Sequence, residues 1–503
     1  MSADPTRIMM RSRASRQLSI WIWCCTWLLA MGNAEAQTTL RDLAKTKGKL
    51  VGAALSSIYI DNPTSMPSGY QSTLANEFNV YVSENSFKMS ELLPNEPANP
   101  FDIQISDLST AKIDIMVARA RENGVGMIRG HALIWHTQAP SWLTTSAPGW
   151  TADQITAFAT SYIKAVVTYC KTINDAVDAP VRIYEWDVIN ETIDKSKARA
   201  KKRARGSAAK SSIEYRTGTW YDGVADRQAF IDAIFRAARN ADPNLRLVYN
   251  DYGIEMYGSP KCNFMLNMVG GMVSRGVPID GVGLQCHFIG PDPSGAGGFS
   301  SSDARKFEQT FAALRALGLD GIVTEFDLRL QTDSTTIEGN VTSRQLVLQG
   351  DQYRLIVATA LSQSNCPALL TWGFTDAQSW IPWACPGYGY ALPFDRSYAK
   401  KPAYEGITTA IKALPTVVEN KASSSTTTLP TASAMTFGQA LSNSTLSGGE
   451  GSVPGSFTFA SPPVAPTRMK SEKRPVASLA SMWSASQATA TEIWSASSES
   501  PAY

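Results

Sequence analysis

The stretch Tyr184-Glu185-Trp186-Asp187-Val188-Ile189-Asn190-Glu191 is a β-prone run, mostly buried in pattern, that finishes with an amide and a carboxylate. A second run, Gly321-Ile322-Val323-Thr324-Glu325-Phe326-Asp327, is likewise an apolar strand that delivers a carboxylate at its end. Working outward, further strand candidates end near Ala53, Ser83, His131, Asp251, His287 and Phe374, which with these two makes eight. Helical patterns lie between them, for example Ala152 to Tyr169 and Asp226 to Asn240, the latter stopped by Asp242-Pro243. This alternation from about residue 40 to 413 predicts βα units around a parallel sheet, closed as a (β/α)8 barrel with enlarged loops.

The two ends of the chain have a different character. Arg7, Arg11, Arg13 and Arg16 precede an apolar run from Leu18 to Met31, and Ala34-Glu35-Ala36 is a small-x-small site before Gln37. At about 14 residues that run is shorter than the roughly 20 needed to span a bilayer, so residues 1–36 are expected to be a cleaved secretory signal. Residues 37–413 are the expected catalytic domain. Residues 414–503, rich in Ser, Thr, Ala and Pro, are expected to be a low-complexity disordered tail, because they hold too little apolar surface to offset ordering entropy. A carbohydrate-binding module around Trp483 and Trp494 is the lesser reading.

The formal net charge of +2 gives no global field for nucleic acid or membrane. Local charge is another matter: Lys195 to Lys210 carries eight basic residues and no acid. A solvated loop, contact with an acidic polymer, a protease site and a gene-model error remain open for it. Of seven cysteines, Cys24 and Cys25 lie in the signal. The odd remainder of Cys170, Cys262, Cys286, Cys366 and Cys385 leaves at least one thiol free or bonded between chains. Glycosylation sequons stand at Asn340, Asn443 and Asn190, the last inside the candidate site and expected to be unmodified.

In a barrel of this type, catalytic side chains come from the C-terminal strand ends. Glu191 and Glu325 facing across the mouth suit glycoside hydrolysis, in which one carboxyl protonates the leaving oxygen and the other attacks the anomeric carbon or positions water. Salt-bridged structural acids are the alternative. All three histidines, His131, His136 and His287, also fall at strand ends. They make no H-E-x-x-H helix and have no Cys or Asp cluster beside them, so orienting a carboxylate or a sugar hydroxyl fits better than a metal. Trp135, Trp186, Trp372, Trp380 and Trp383 crowd the same ends; Trp186 reads as core, and the run from Trp372 to Trp380 could offer faces to pyranose rings.

These segments resemble glycoside hydrolase family 10, the (β/α)8 xylanases, over about residues 45–410. The motifs that carry the resemblance are Ser83-Glu84-Asn85 with Lys88, Arg129 to Gln138, Trp186 to Glu191, Tyr249-Asn-Asp-Tyr252, Gln285-Cys-His287, Thr324-Glu-Phe-Asp327, Trp372 to Trp380 and Lys401-Pro-Ala-Tyr404. The resemblance implies a secreted endo-1,4-β-xylanase that acts with retention, with Glu325 as nucleophile, Glu191 as acid/base and carboxyls about 5–5.5 Å apart. It implies Asn190 on the sugar 2-hydroxyl, and His287 with Asp327 keeping the nucleophile ionised. It places Glu84, Asn85 and Lys88 in a glycone-side clamp, His131, Trp135, Gln138, Tyr252 and Gln285 along the site, and Trp372 and Trp380 around the sugars. Partners would be xylan and xylo-oligosaccharides of plant cell walls, with no cofactor, no metal, no nucleic acid and no membrane after signal cleavage; monomer is the default.

The chain also departs from the family pattern. Met89 stands for a usual Trp, Thr192 for Ala and Cys286 for Ser. Ala360 stands where a frequent disulfide partner of Cys366 would be, so that bridge should be absent. A related retaining β-1,4-glucanase and a non-catalytic xylan-binding barrel remain the rival readings.

Overall fold

The structure is a computed structural model that describes residues 38–176, 178–195, 213–224, 226–334 and 339–416. It also describes the backbone of short strands between 426 and 451. The expected signal segment, nearly all of the basic insertion, the Asn443 sequon and the tail tryptophans lie outside the described residues. The chain divides into two units, 1–416 and 417–503. In the second, where no regular structure is expected, Thr426–Thr428 pairs with Glu450–Gly451, and Thr431–Ala432 pairs with Leu446–Ser447.

The first unit is a closed barrel. Its strands are β1 (Leu50–Leu55), β2 (Val80–Ser83), β3 (Met127–Gly130), β4 (Arg182–Asn190), β5 (Arg246–Asp251), β6 (Gly281–Leu284), β7 (Asp320–Gln331) and β8 (Ala368–Thr371). Each pairs in parallel with the next, and β8 returns to β1 through Leu50–Ala368 and its neighbours. Seven of the eight expected strand ends fall within about three residues of the observed ones; β7 runs past Glu325 to Gln331 because its far end also pairs with Tyr388–Gly389.

A helix follows every strand: α1 (Ser68–Glu77), α2 (Ala111–Glu122), α3 (Ala152–Asn174), α4 (Arg227–Ala241), α5 (Pro260–Ser274), α6 (Ser301–Ala316), α7 (Ser343–Leu361) and α8 (Pro402–Ala413). Sequence starts these helices cleanly. Thr151 with Gln154, Ser300 with Asp303 and Thr342 with Gln345 form capping boxes that satisfy otherwise unpaired amides. Among the described residues, no helix is long and apolar enough to cross a membrane.

The lumen is partly apolar, with Ala54, Val80, Val82, Val248, Ile322, Ala368 and Leu370 packed together. Its other part is a charge ladder, buried at Arg129, Glu185 and Asp187. Arg129 donates to Glu185 (Nε to Oε1, 2.9 Å) and to both oxygens of Asp187. Arg246 extends the ladder to Glu185 Oε2 (3.2 Å) and Asp320 Oδ2 (2.7 Å).

Two register shifts in β4 make this possible. Ile128 pairs with Ile183 but Arg129 pairs with Glu185, and the β5 pairing skips from Asp187 to Ile189. Each shift is a bulge that re-aims the side chains beyond it. The second sets Asn190 opposite Asn250. Gly130 lies under the Trp186 indole so closely that a Cβ there would fall 2.1 Å from the ring.

Candidate active site

Glu325 comes from β7 and is held from several sides. Its Oε1 accepts from Asn250 Nδ2 (2.7 Å), and its Oε2 lies 3.2 Å from His287 Nε2. His287 Nδ1 lies 2.8 Å from Asp327 Oδ2, and Trp380 Nε1 donates to the same oxygen (2.9 Å). Burial pulls the His287 imidazole down, but the charge and hydrogen bond of Asp327, together with Glu325, lift it to about 10. It therefore stands as an imidazolium that donates to both carboxylates. Burial alone would push Glu325 up. His131, the hydrogen bond and charge of His287, and Lys88 outweigh burial and hold Glu325 at about 2.

His131 Nδ1 sits 2.8 Å from Asp187 Oδ2 and 3.8 Å from Glu325 Oε1. The ladder thus runs from the half-exposed Asp320 and Arg246 through the buried Glu185, Arg129 and Asp187 up to the mouth and ends beside this carboxylate.

Glu191 closes β4 and is held differently. Its side chain is 15 % exposed against 6 % for Glu325. Gln285 Nε2 donates to its Oε1 (3.2 Å), and His136 Nδ1 lies 3.7 Å from its Oε2. Burial and then the Arg216 charge push the His136 imidazole below its ordinary range, against Glu191 and Asp194.

The firmer grip on Glu191 is on its backbone. Its N–H donates to Asn250 O (2.9 Å), and its carbonyl accepts from Arg216 Nε (2.8 Å). Its φ of 56° is left-handed; Gln138 (48°) and Cys286 (59°) share this conformation in the segments after β3 and β6. Such strain concentrates where side chains must be aimed against local preference. Arg216 also donates to Asp194 Oδ2 (2.8 Å) and the Tyr252 hydroxyl (3.3 Å). It leaves a ribbon, Ile193–Lys195 paired with Ile213–Tyr215, from whose tip the basic insertion departs.

Amides bridge the two carboxyls. Asn190 Oδ1 accepts from Asn250 Nδ2 (2.9 Å) and Gln285 Nε2 (3.2 Å). Swapping the Asn190 amide would instead pair its oxygen with Trp135 Nε1 at 3.2 Å. The Glu325 carboxylate fixes Asn250 with its NH2 group inward, which favours the carbonyl of Asn190 facing it. Asn250 Oδ1 in turn accepts from Thr324 Oγ1 (2.7 Å), and a Cβ at Gly283 would fall 2.1 Å from that oxygen. Asn190 and Thr192 are both buried, which closes this sequon to a glycan.

The clamp residues also converge. Lys88 Nζ donates to Gln138 Oε1 (3.1 Å), Gln138 Nε2 donates to Asn85 Oδ1 (3.1 Å), and Lys88 stands 4.1 Å over the Trp135 ring. Burial lowers Lys88 to about 8 against the pull of Glu325, Glu191, Glu84 and Asp187. Burial raises Glu84, with Lys88 opposing. Trp372 packs edge-on to His131 and Trp380 to His287, each at 5.0 Å between ring centres. Tyr252 lies at the rim, its ring 3.6 Å from Lys261 Nζ. Every candidate side chain read from the sequence is therefore in this mouth.

Sequence reasoning singled out His136 without saying which carboxylate it meets, and it missed the roles of Asn250, Asp187, Arg129 and Arg216. Asn250 and Asp187 lie inside quoted motifs, but adjacent strand residues cannot be sorted into inward and outward when a bulge changes their parity. Arg216 follows the basic insertion, and no spacing signal points to it. All five candidate cysteines are free thiols, Cys385 alone being partly exposed. Among the described residues no group of three or more His, Cys, Asp or Glu could hold a metal ion.

A (β/α)8 barrel presenting one charge-locked carboxylate and a second, more open one across an amide bridge defines a glycoside hydrolase class of site. The family model of Glycosyl hydrolase family 10 matches residues 39–410. An endo-1,4-β-xylanase of Agaricus bisporus is 31% identical over 351 residues, covering 69% of this chain and 88% of that protein. Endo-1,4-β-xylanase 5 of Pyricularia oryzae is 33% identical over 339 residues, 67% and 70% of the two chains. The crystal structure of Thermotoga petrophila xylanase 10B in complex with xylobiose matches with a TM-score of 0.61 and 28% identity, covering 76% of this chain and 99% of that one. The chain belongs to glycosyl hydrolase family 10.

Proposed function

We propose that this protein is a secreted endo-1,4-β-xylanase that hydrolyses internal bonds of xylan with retention. The observation that carries the reading is the Glu325 carboxylate, kept ionised among His287, His131 and Lys88 and linked through Asn250, Asn190 and Gln285 to Glu191. The relatives named as xylanases support the substrate.

In the first step Glu325 attacks the anomeric carbon while Glu191 gives a proton to the departing glycosidic oxygen. The products are a glycosyl ester on Glu325 and a shortened chain with a free hydroxyl. Glu191, now a carboxylate, takes a proton from water, and that water's oxygen attacks the same carbon and releases Glu325. Two inversions give net retention. Asn190 binds the 2-hydroxyl of the sugar at the cleavage point. Glu84, Asn85, Lys88 and Gln138 hold the next sugar on the glycone side. Trp372 and Trp380 leave little room there for a hydroxymethyl group, which favours xylose over glucose. Tyr252 meets the leaving-group sugar. The basic residues and apolar run before Ala34-Glu35-Ala36 support export.

The test is reducing-sugar release from arabinoxylan, glucuronoxylan and carboxymethyl-cellulose by the wild type and Glu325→Gln. Xylan cleavage that disappears in the variant is expected. Activity on cellulose alone would overturn the substrate, and no activity from folded protein would favour a binding role.

A further inference from the structure

Only three aromatic side chains among the described residues are exposed: Tyr252 at 39%, Tyr257 at 44% and Trp383 at 81%. All three lie on loops at the catalytic mouth. Tyr252 and Tyr257 follow β5, on the side where Arg216 holds Glu191; Trp383 follows β8, beyond Trp380, which donates to Asp327. In the ring of eight, β5 and β8 stand three places apart, so these aromatics flank the catalytic pair from different sides.

Trp383 is the most exposed of the three, and its backbone is anchored. It sits in the single helical turn Ile381–Ala384, and its N–H donates to Trp380 O (3.2 Å). The two residues before it, Ile381 and Pro382, are buried, and Ile381 packs with Ala391 and Leu392 in a small core of its own. The sequence therefore spends two buried anchors on a turn whose next side chain is an indole left in water. An indole face presented to water at the rim is suited to the C–H face of a pyranose ring, because contact removes apolar surface of both from solvent.

We infer that Trp383 is a stacking platform for a distal sugar of a β-1,4-linked xylose chain, further from the cleavage point than the sugar that meets Trp380. This rests on the xylanase reading above. The ligand class is a xylo-oligosaccharide long enough to pass the Trp372 and Trp380 pair and reach the rim.

The experiment is calorimetric binding of xylobiose and xylohexaose to Glu325→Gln, alone and combined with Trp383→Ala or Trp383→Phe. The ratio of hexaose to biose affinity is expected to fall about two- to tenfold with Trp383→Ala. Trp383→Phe should restore most of it, and the thermal midpoint serves as a check on folding. An unchanged ratio in folded Trp383→Ala overturns the inference, as does an equal loss for both ligands. Failure of the parent Glu325→Gln protein to bind any xylo-oligosaccharide overturns the xylanase reading itself, and the inference with it.

Discussion

Glu325, on β7, and Glu191, just past the end of β4, face one barrel mouth, but the protein grips them in different ways. Glu325 is held by its side chain, through Asn250 and His287, within a shell that also charges it. Glu191 is held mainly by its main chain, through Asn250 O and Arg216, with one amide contact on the carboxyl itself. The contrast follows from what each group must do. A nucleophile has to remain ionised until it reacts. An acid/base has to give up a proton and regain it in each cycle, so it is aimed by the backbone and left loosely solvated.

Removing the carboxylates breaks this comparison most severely. Glu325→Gln is expected to lower kcat on xylan by on the order of 10⁴–10⁶-fold. Glu191→Gln should lower it about 10²–10⁴-fold, and much less on an aryl xylobioside whose leaving group needs no proton. Steady-state kinetics on both substrates checks this; equal losses on the two by Glu191→Gln would contradict the division of labour.

His287→Asn sharpens the Glu325 side. With the imidazolium gone, Glu325 rises from about 2 and the acid limb of the pH–rate profile moves to higher pH, with kcat down about 10²–10³-fold. The same pair links stability to pH. Glu325, depressed, contributes stability above its unfolded value of about 4.3, lost as pH falls toward 2. His287, raised, contributes fully below its unfolded value of about 6.5, lost as pH rises through 10. Both contributions are complete between about pH 4.5 and 6.5, where the difference in thermal midpoint between wild type and His287→Asn should be greatest.

Asp187→Asn attacks the ladder beneath the nucleophile. It leaves the buried Arg129 guanidinium undercompensated, and denaturant unfolding should show a loss of about 3–5 kcal/mol. Arg216→Ala attacks the other side and should cost about tenfold in kcat on xylan, and less on the aryl substrate. A variant whose kinetics match wild type would show that the left-handed Glu191 backbone needs no such clamp.

The contrast was only partly legible in the sequence. Strand ends could be read because apolar runs stop at polar residues, so β4 and β5 end at Asn190 and Asp251 as expected. Both carboxylates, the clamp and the flanking tryptophans followed from motifs placed at those ends. What holds each carboxylate could not be read. Asn250 and Asp187 owe their roles to shifts of register within β4, and such shifts leave no mark in a strand whose residues are buried on both faces. Arg216 reaches Glu191 only because an antiparallel ribbon folds back across the insertion. His136 looked like its two companions in sequence, yet it meets the other carboxylate.

The central claim is that Glu325 forms the covalent bond while Glu191 moves the proton. Mass spectrometry of the protein after reaction with a 2-deoxy-2-fluoro-β-xylobioside carrying a good leaving group tests it most directly. The account predicts one fluoroxylobiosyl group, on the peptide containing Glu325. A label on Glu191, or turnover of xylan by a protein that never takes up the label, would contradict it.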